Sequence, residues 1–453
     1  MVRKFRTVNY EETLNLKVSL KDVLPPDHLA RFIVDIIAQL DLGLIYQQYS
    51  DEGAPPYAPE ILLGLLFYGY ATGVFSSRKI ERATHESIPF RFIAGNMQPD
   101  HDTIATFRKR FLSEIQELFV QILLIAQELG ELQLGNISLD GSKIHADASK
   151  SKAVSYKRLL AIESYLQAQV AELFALAEAA DQATIPEGMV IEDEIARRQE
   201  RLAQLADAKA VLDARAQARY EAEKADHEEK MRQREAKAAK KGQKPRGRSP
   251  KPPTPGPRDK DQYNFTDPES RIMKNSNNMG FDQHYNTQVV VDQDSRLIVG
   301  HTLSNHPTDR GEALPTIDAI PSALGQADAA ALDNGYWSPD NVDDLLKRGV
   351  EPYIATGRDP HYRSWRAHFA QHLDPPADDA TAKEKMAYKL RTEIGRAIYR
   401  LRKCTVEPVI GIIKEVLGFR QFSLRGLTAA TGEWGLVCLA FNLKRLHVLC
   451  NSS

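Results

Sequence analysis

Three carboxylates stand at positions from which a fold can bring them together, although they are far apart in the chain. Asp140 ends the apolar run "ISLD" before a glycine, and Asp333 ends "AALD" before Asn-Gly. Glu407 precedes a proline at the head of "PVIGIIKEVLGF". Clustered carboxylates repel one another, so they are poor structural elements but good ligands for hard divalent cations. Two Mg²⁺ ions held in this way would activate an attacking oxygen and stabilise the leaving oxygen of a phosphoryl displacement.

Each acid also has an ordinary structural explanation. A strand-terminal Asp before Gly commonly forms a turn. Glu407 before Pro408 is typical of a helix start, where the helix dipole offsets the cost of a carboxylate beside apolar residues. The proposed chemistry therefore depends on whether the fold gathers all three acids.

Hydrophobic periodicity predicts the elements that must position these acids. "LGNISLDGSKIH" predicts two short strands joined by a turn at Gly141. Residues 283–357 alternate strand, helix, strand, helix, strand, which is typical of a partly parallel sheet. The carboxyl ends of such strands meet at one sheet edge, where a packed helix can add a third acid. We therefore expect an α/β core formed by residues 135–150 and 261–450.

An all-α domain is predicted for residues 1–130, whose apolar positions recur at helical spacing. Within it, "DHDTIATFRKRF" places Arg108, Lys109 and Arg110 within two turns of a polar cap. This arrangement resembles a helix-turn-helix whose second helix lies in a DNA groove. A helical bundle with a solvated basic face fits the pattern equally well.

A long insertion interrupts the predicted core. Residues 151–229 are rich in Ala, Glu, Gln, Leu and Lys with helical apolar spacing, which predicts a helical hairpin. The hairpin either promotes self-association or covers a sheet edge within one chain. Residues 230–260 are basic and contain many Pro and Gly, which predicts a flexible arm that either contacts phosphates or is a solvated linker.

Whole-chain composition narrows the cellular setting but not the activity. The chain has 453 residues and a formal charge of −2, so its charge neither implies nor excludes a nucleic-acid partner. Its three cysteines form no CxxC or Cys/His pattern, as expected in a reducing cytoplasm without a zinc site. The start lacks a signal peptide and the apolar runs are short for a membrane span, so we expect a cytoplasmic protein without a membrane partner.

The motifs "SLDGSKIHADAS", "LDNGYWS" and "YRLRKCTVEPVIGIIKEVLGF" resemble the DDE transposases of bacterial insertion sequences. They are most similar to the branch whose final acid lies in a Tyr, Arg, Glu, Lys signature, and the resemblance covers nearly the whole chain. It implies a ribonuclease H-like core with Asp140, Asp333 and Glu407 as catalytic residues and as ligands of two Mg²⁺ ions, for which Mn²⁺ substitutes. It also implies double-stranded DNA as partner, at terminal inverted repeats and target, and a homo-oligomer during synapsis.

The C-terminal motif matches the signature at Tyr399, Arg402, Glu407 and Lys414. Glu407 and Lys414 are two helical turns apart, so both would lie on one helix face, with Lys414 meeting a phosphate. Arg402 is one residue further from Glu407 than is usual, and Lys403 fits the shorter spacing. Which of these two cations takes the signature role is open. Candidate DNA contacts in this motif are Tyr399, Arg402, Lys403 and Lys414.

Three hypotheses about function follow from the sequence. The first is a metal-dependent DNA transposase that cleaves element ends and joins them to target DNA. The second is a catalytically inactive DNA-binding or scaffolding derivative of such an enzyme, and the third is a metal nuclease without joining activity. The acids present in all three motifs favour the first over the second.

Overall fold

The computed structural model describes residues 19–49, 55–179, 189–241, 248–275, 280–357, 375–377 and 379–452. The chain divides into two compact units, each described here by itself. The large unit comprises Met1–Ile144 and Asn286–Ser453, and the inserted unit comprises His145–Tyr285.

The described part of the N-terminal region is helical, as predicted. Its helices are α1 (Leu20–Val23), α2 (Leu29–Ile37), α3 (Gly43–Tyr46), α4 (Pro59–Ala71), α5 (Ser77–Glu86), α6 (Ile88–Ile93), α7 (His101–Arg110) and α8 (Leu112–Glu128). Residues 1–18 of the predicted domain lie outside the described residues.

These helices share their core with the end of the chain. The apolar helix α4 is buried along almost its whole length, as expected for a helix that is hydrophobic all round. The C-terminal helix α15 (Leu427–Ser452) is buried in its middle part and packs against both α4 and α8. The described helices of the predicted N-terminal domain therefore belong to the large unit rather than to a unit of their own, because α4 and α8 pack against α15.

The sheet of the large unit supports the predicted core. Its strands run in the order β6, β5, β1, β7, β8. They are β1 (Asn136–His145), β5 (Phe281–Asp292), β6 (Ile298–Ser304), β7 (Ala329–Leu332) and β8 (Glu351–Ile354). Strand β7 pairs in parallel with β1 and with β8, while β5 and β6 form an antiparallel pair. The partly parallel sheet was predicted, and the mixed α/β core is confirmed.

Strand β1 differs from its prediction, since it is one continuous strand rather than two short strands around Gly141. Gly141 does not form a turn; its lack of a side chain leaves the space that Gln288 occupies. A Cβ at Gly141 would lie 2.4 Å from Nε2 of Gln288, a fully buried side chain of β5.

The remaining helices of the large unit connect or cover the sheet. They are α11 (Ala313–Asp318), α12 (Pro339–Lys347), α13 (Ala382–Lys389) and α14 (Glu393–Gly411). Helix α14 contacts both β7 and β8, which places its residues beside the carboxyl ends of the parallel strands.

The inserted unit contains the predicted helical hairpin. Helices α9 (Tyr156–Glu178) and α10 (Ile191–Lys241) pack together through an apolar cluster that includes Leu159, Leu205 and Leu212. Short strands β2 (Ala153–Ser155) and β3 (Gln262–Asn264) pair antiparallel, and β4 (Arg271–Lys274) pairs with residues 281–284 of β5.

The predicted boundary between hairpin and arm is wrong. Helix α10 continues to Lys241, so residues 230–241 are helical rather than part of an irregular arm. This stretch contains neither Pro nor Gly and is rich in Ala, Lys and Arg, which favour helix. Residues 242–247 of the predicted arm lie outside the described residues.

Helix α9 is the one described helix that is long and apolar enough to cross a membrane by length and composition. A single helix of this kind is weak evidence for a span. Polar contacts join it to its neighbour α10, since Lys209 lies 3.2 Å from Glu163 and Arg198 donates to Gln169.

Candidate active site

Asp140 and Asp333 lie at neighbouring positions where β7 ends and β1 continues to His145. Strands β1 and β7 are parallel and adjacent, with Leu139 in register with Leu332. Each aspartate directly follows one of these paired leucines, so the register brings the two acids to neighbouring positions. The sheet thus joins residues that are almost two hundred positions apart in the sequence.

Arg402 connects Asp140 to Glu407. Its Nη1 donates to Oδ2 of Asp140 at 2.9 Å, and its Nη2 donates to Oε1 of Glu407 at 3.0 Å. The guanidinium also lies 5.9 Å from the ring centre of Tyr399. Arg402 is almost completely buried, whereas Lys403 is exposed. Of the two cations that the signature left open, Arg402 is the one in contact with the acids.

Glu407 does not begin a helix, contrary to the sequence prediction. Helix α14 runs through it, with Pro408 inside the helix. Proline has no N–H to donate to the carbonyl of Cys404, so this one helical hydrogen bond is missing at a point where both residues are exposed. The charge of Arg402, rather than a helix dipole, therefore offsets the charge of Glu407.

The electrostatic environment of Asp140 reflects its depth in the site. Burial raises the pKa of this carboxyl to about 6; the charge of Arg402 opposes that rise, and the neighbouring Asp333 adds to it. The charge of Asp333 acts on Asp140 because the two residues occupy neighbouring positions on paired strands. A further cation here would relieve the repulsion between them.

Local hydrogen bonds fix the orientation of both aspartates. Oδ1 of Asp140 accepts from the N–H of Gly141 at 2.9 Å. Oδ1 of Asp333 accepts from the N–H of Gly335 at 2.6 Å, which caps a short 3₁₀ turn. Each carboxylate is thus held by the backbone that follows it.

A buried polar network supports these two segments, and we did not predict it from the sequence. The hydroxyl of Tyr336 donates to Oε1 of Gln288, whose Nε2 donates to Oδ1 of Asp309 at 3.0 Å. Asn286 donates to the same oxygen of Asp309 at 2.8 Å. Gln288 also packs against Gly141, so one amide supports the segments that carry Asp140 and Asp333. The sequence signal that could have indicated this network is the pair of amides, Asn286 and Gln288, directly before the apolar run "VVV".

Replacing Tyr336 with Phe is expected to slow the DNA cleavage that the sequence resemblance implies about 10- to 100-fold, the range seen when residues that orient ligands are lost. The change leaves the buried Oε1 of Gln288 without its donor and loosens the turn after Asp333. Single-turnover cleavage measures the rate, and DNA affinity should not change. Tyr353→Phe on the adjacent β8 is the matched control, and equal rates in the two variants would contradict the positioning role.

Lys414 contacts strand β1 rather than extending into solvent. Its Nζ donates to Oγ of Ser142 at 3.0 Å and lies 3.5 Å from the carbonyl of Lys143. Burial lowers the pKa of this lysine. The helix is π-helical over Ile412–Val416, so the ideal spacing from Glu407 to Lys414 does not apply. Glu407 nevertheless connects to β1 through Arg402, and Lys414 contacts β1 directly.

Only part of the predicted basic face of helix α7 is exposed to solvent. Arg108 is 7% exposed and its Nη1 donates to the hydroxyl of Tyr70 at 2.8 Å, so it cannot lie in a DNA groove. This candidate DNA contact is wrong, because the turn of the helix directs Arg108 into the core. Lys109 and Arg110 are exposed, and the guanidinium of Arg110 lies 5.5 Å from the ring centre of Tyr49.

The donor set fits a hard divalent cation. Asp140, Asp333 and Glu407 offer only carboxylate oxygens, which Mg²⁺ and Mn²⁺ prefer. Among the described residues, however, no three His, Cys, Asp or Glu side chains are already arranged as a metal site. Arg402 lies between two of the acids and supplies the positive charge there.

Two family models match the chain. A Transposase domain family (DUF772) matches residues 18–110, and a Transposase DDE domain family matches residues 371–447. The second range contains Glu407 and the whole C-terminal signature, whereas Asp140 and Asp333 lie outside both. No curated protein and no solved structure matches the chain. The two matches support a DDE-type transposase, an enzyme class that acts on DNA.

Proposed function

We propose that the chain is a DNA transposase that cleaves at element ends and joins them to target DNA by metal-dependent phosphoryl transfer. The proposed core is ribonuclease H-like, with Asp140, Asp333 and Glu407 as the catalytic acids. The main support is the convergence of three distant segments, which puts Asp140 beside Asp333 and links it to Glu407 through Arg402.

The proposed metal ions would be held by the three acids. When bound, such a pair supplies a deprotonated attacking oxygen and neutralises the leaving oxygen. The chain's own residues orient the reactants. Backbone N–H groups hold Asp140 and Asp333, and Arg402 holds Glu407 toward the sheet.

We also propose the surfaces that bind the DNA. Tyr399 lies beside Arg402, Lys414 contacts Ser142 of β1, and Lys403 is exposed on the same helix as Glu407. These contacts support the proposal that the three groups bind a phosphate near the cleaved bond. Lys109 and Arg110 are exposed on α7 and provide a second, separate contact. A homo-oligomer would hold two element ends together during synapsis.

Purified protein with Mg²⁺ or Mn²⁺ is expected to nick and join DNA carrying the inverted repeats that flank the coding region. Products separated on a denaturing gel give both steps, and EDTA should abolish them. Binding without cleavage would instead support the inactive scaffold. Cleavage without joined products would support a nuclease.

Replacing Arg402 with Gln is expected to tighten Mn²⁺ binding about tenfold. The change removes a unit charge about 3 Å from two carboxylates, and a charge pair at 4 Å is worth about 1 to 4 kcal/mol between water and an effective dielectric of 20. Electron paramagnetic resonance of free Mn²⁺ measures the affinity without any activity assay. Lys403→Gln, at the adjacent exposed position, is the control, and equal Mn²⁺ affinity in both variants would exclude competition between Arg402 and the metal.

A further inference from the structure

A basic cavity of about 700 Å³ lies wholly within the inserted unit. It is bounded by the 3₁₀ turn Lys150–Lys152 and the first turn of α9 on one side, and by α10 on the other. Among the residues that the structure describes, its lining includes Lys150, Lys152, Arg158 and Arg201 but no Asp or Glu. Four cations without a carboxylate among them are the lining expected of an anion site.

The backbone that carries the two lysines is held in place. The N–H of Phe265 donates to the carbonyl of Lys152 at 3.1 Å. The buried side chain of Asn264 donates to the carbonyl of Ser149 at 2.9 Å, and Ser149 caps the 3₁₀ turn. With β2 paired to β3, the turn is presented on a small sheet rather than on a free loop. The positions of the charges are therefore set before any ligand binds.

On the α10 side of the cavity, the guanidinium of Arg201 is held in a fixed orientation. Arg201 lies over the ring of Phe265, with 4.3 Å from Cζ to the ring centre, and its Nη1 donates to Oε1 of Gln204 at 2.8 Å. Stacking fixes the guanidinium plane, and a fixed fork of N–H groups matches the oxygens of a phosphate. Thr266 adds a hydroxyl donor to the same wall.

The charge of the cavity is only partly balanced by the protein. Asp282 lies near Lys150: its hydrogen bond from Asn275, followed by the charge of Lys150, lowers the pKa of its carboxyl against the opposing effect of burial. Within the described residues, Lys152 and Arg158 have no ion-pair partner, although they line the same space. Bringing these cations together therefore costs free energy that a bound anion would recover.

We propose that this cavity binds phosphate groups of a DNA strand, which gives the inserted unit a DNA contact of its own. The choice of DNA as the source of the phosphate rests on the proposed function. A duplex cannot enter a cavity of this size, so its backbone would lie across the rim formed by Lys152 and Arg158, with a phosphate directed towards Arg201.

The test compares two charge-matched double variants by fluorescence anisotropy with a labelled duplex in EDTA, where no cleavage occurs. Lys152→Gln/Arg158→Gln removes two cavity cations, and Lys157→Gln/Lys224→Gln removes two exposed cations outside it. Counterion release predicts that the cavity variant lowers the slope of log K against log salt by about 2 and weakens binding about thirtyfold at 150 mM salt. The effect should be the same for every duplex sequence.

The alternative outcomes each have a definite meaning. Equal losses in the two variants would overturn the proposal, since any surface charge would then serve. Unchanged duplex binding with weaker binding of inorganic phosphate, measured by calorimetry, would assign the cavity to a free phosphate and overturn the DNA contact. Because binding is measured in EDTA, a wild-type chain that fails to cleave DNA would disprove the proposed function without removing this site.

Discussion

Replacing Asp333 with Asn is expected to reduce DNA cleavage about a thousandfold or more while leaving DNA affinity unchanged. Metal stabilisation of the developing charge is worth several kcal/mol, and each 1.4 kcal/mol is a factor of ten in rate. The asparagine keeps an oxygen that can accept from the N–H of Gly335, so the 3₁₀ turn after β7 should remain folded. The loss would then be a loss of charge beside Asp140.

The measurement is single-turnover cleavage of a labelled inverted-repeat duplex, together with anisotropy for binding. Asp340→Asn, an exposed residue of α12, is the matched control and should cleave at the wild-type rate. Glu407→Gln should reduce cleavage as Asp333→Asn does. Glu415→Gln, in the same C-terminal motif, should cleave at the wild-type rate. Cleavage at the wild-type rate by Asp333→Asn would remove this residue from the proposed catalytic set.

Replacing Glu433 with Ala is expected to lower the free energy of unfolding by about 3–5 kcal/mol, as when one partner of a buried charged network is removed. Glu433 is fully buried, and its Oε2 accepts from the N–H groups of Ser423 and Leu424, both at 2.9 Å. Its Oε1 accepts from Tyr70 at 3.2 Å, and Tyr70 in turn accepts from Arg108. Alanine leaves two backbone donors unpaired and Arg108 without a nearby negative charge.

Urea unfolding followed through the fluorescence of the buried Trp434 measures this loss. Glu86→Ala, at an exposed residue paired with Arg82, is the control and should change stability by less than about 1 kcal/mol. Adding Arg108→Met to Glu433→Ala should cost less than the sum of the two single changes, because both act on one network. Additive losses would show that Arg108 and Glu433 are independent.

This buried network links the two parts of the chain that match transposase families. Tyr70 and Arg108 belong to the N-terminal match, and Glu433 belongs to the C-terminal match. The next residue, Trp434, donates to the carbonyl of Gln288 at 3.3 Å, on the strand that supports the two aspartates. Helix α15 thus connects the N-terminal helices to the candidate site, so we expect loss of the network to affect cleavage as well as folding.

The sequence by itself determined features that depend on local pattern. The helical spacing before residue 130 predicts the N-terminal helices, and the alternation after residue 283 predicts the strands and helices of the core. Both predictions work because the period of apolar residues directly reflects secondary structure. The neighbouring positions of Asp140 and Asp333 followed from the parallel pairing of β1 and β7, although β1 continues to His145 and only β7 ends at this point. Their part in catalysis remains a prediction.

Only the tertiary structure decided which polar groups meet. The sequence suggested a DNA contact for Arg108 and a helix start at Glu407, but burial against Tyr70 and the uninterrupted α14 changed both interpretations. It could not choose between Arg402 and Lys403, which differ by one position and by about 100° around the helix. That rotation turns Arg402 toward an aspartate 262 residues away. Contacts of this kind depend on the packing of distant segments, which no local pattern records.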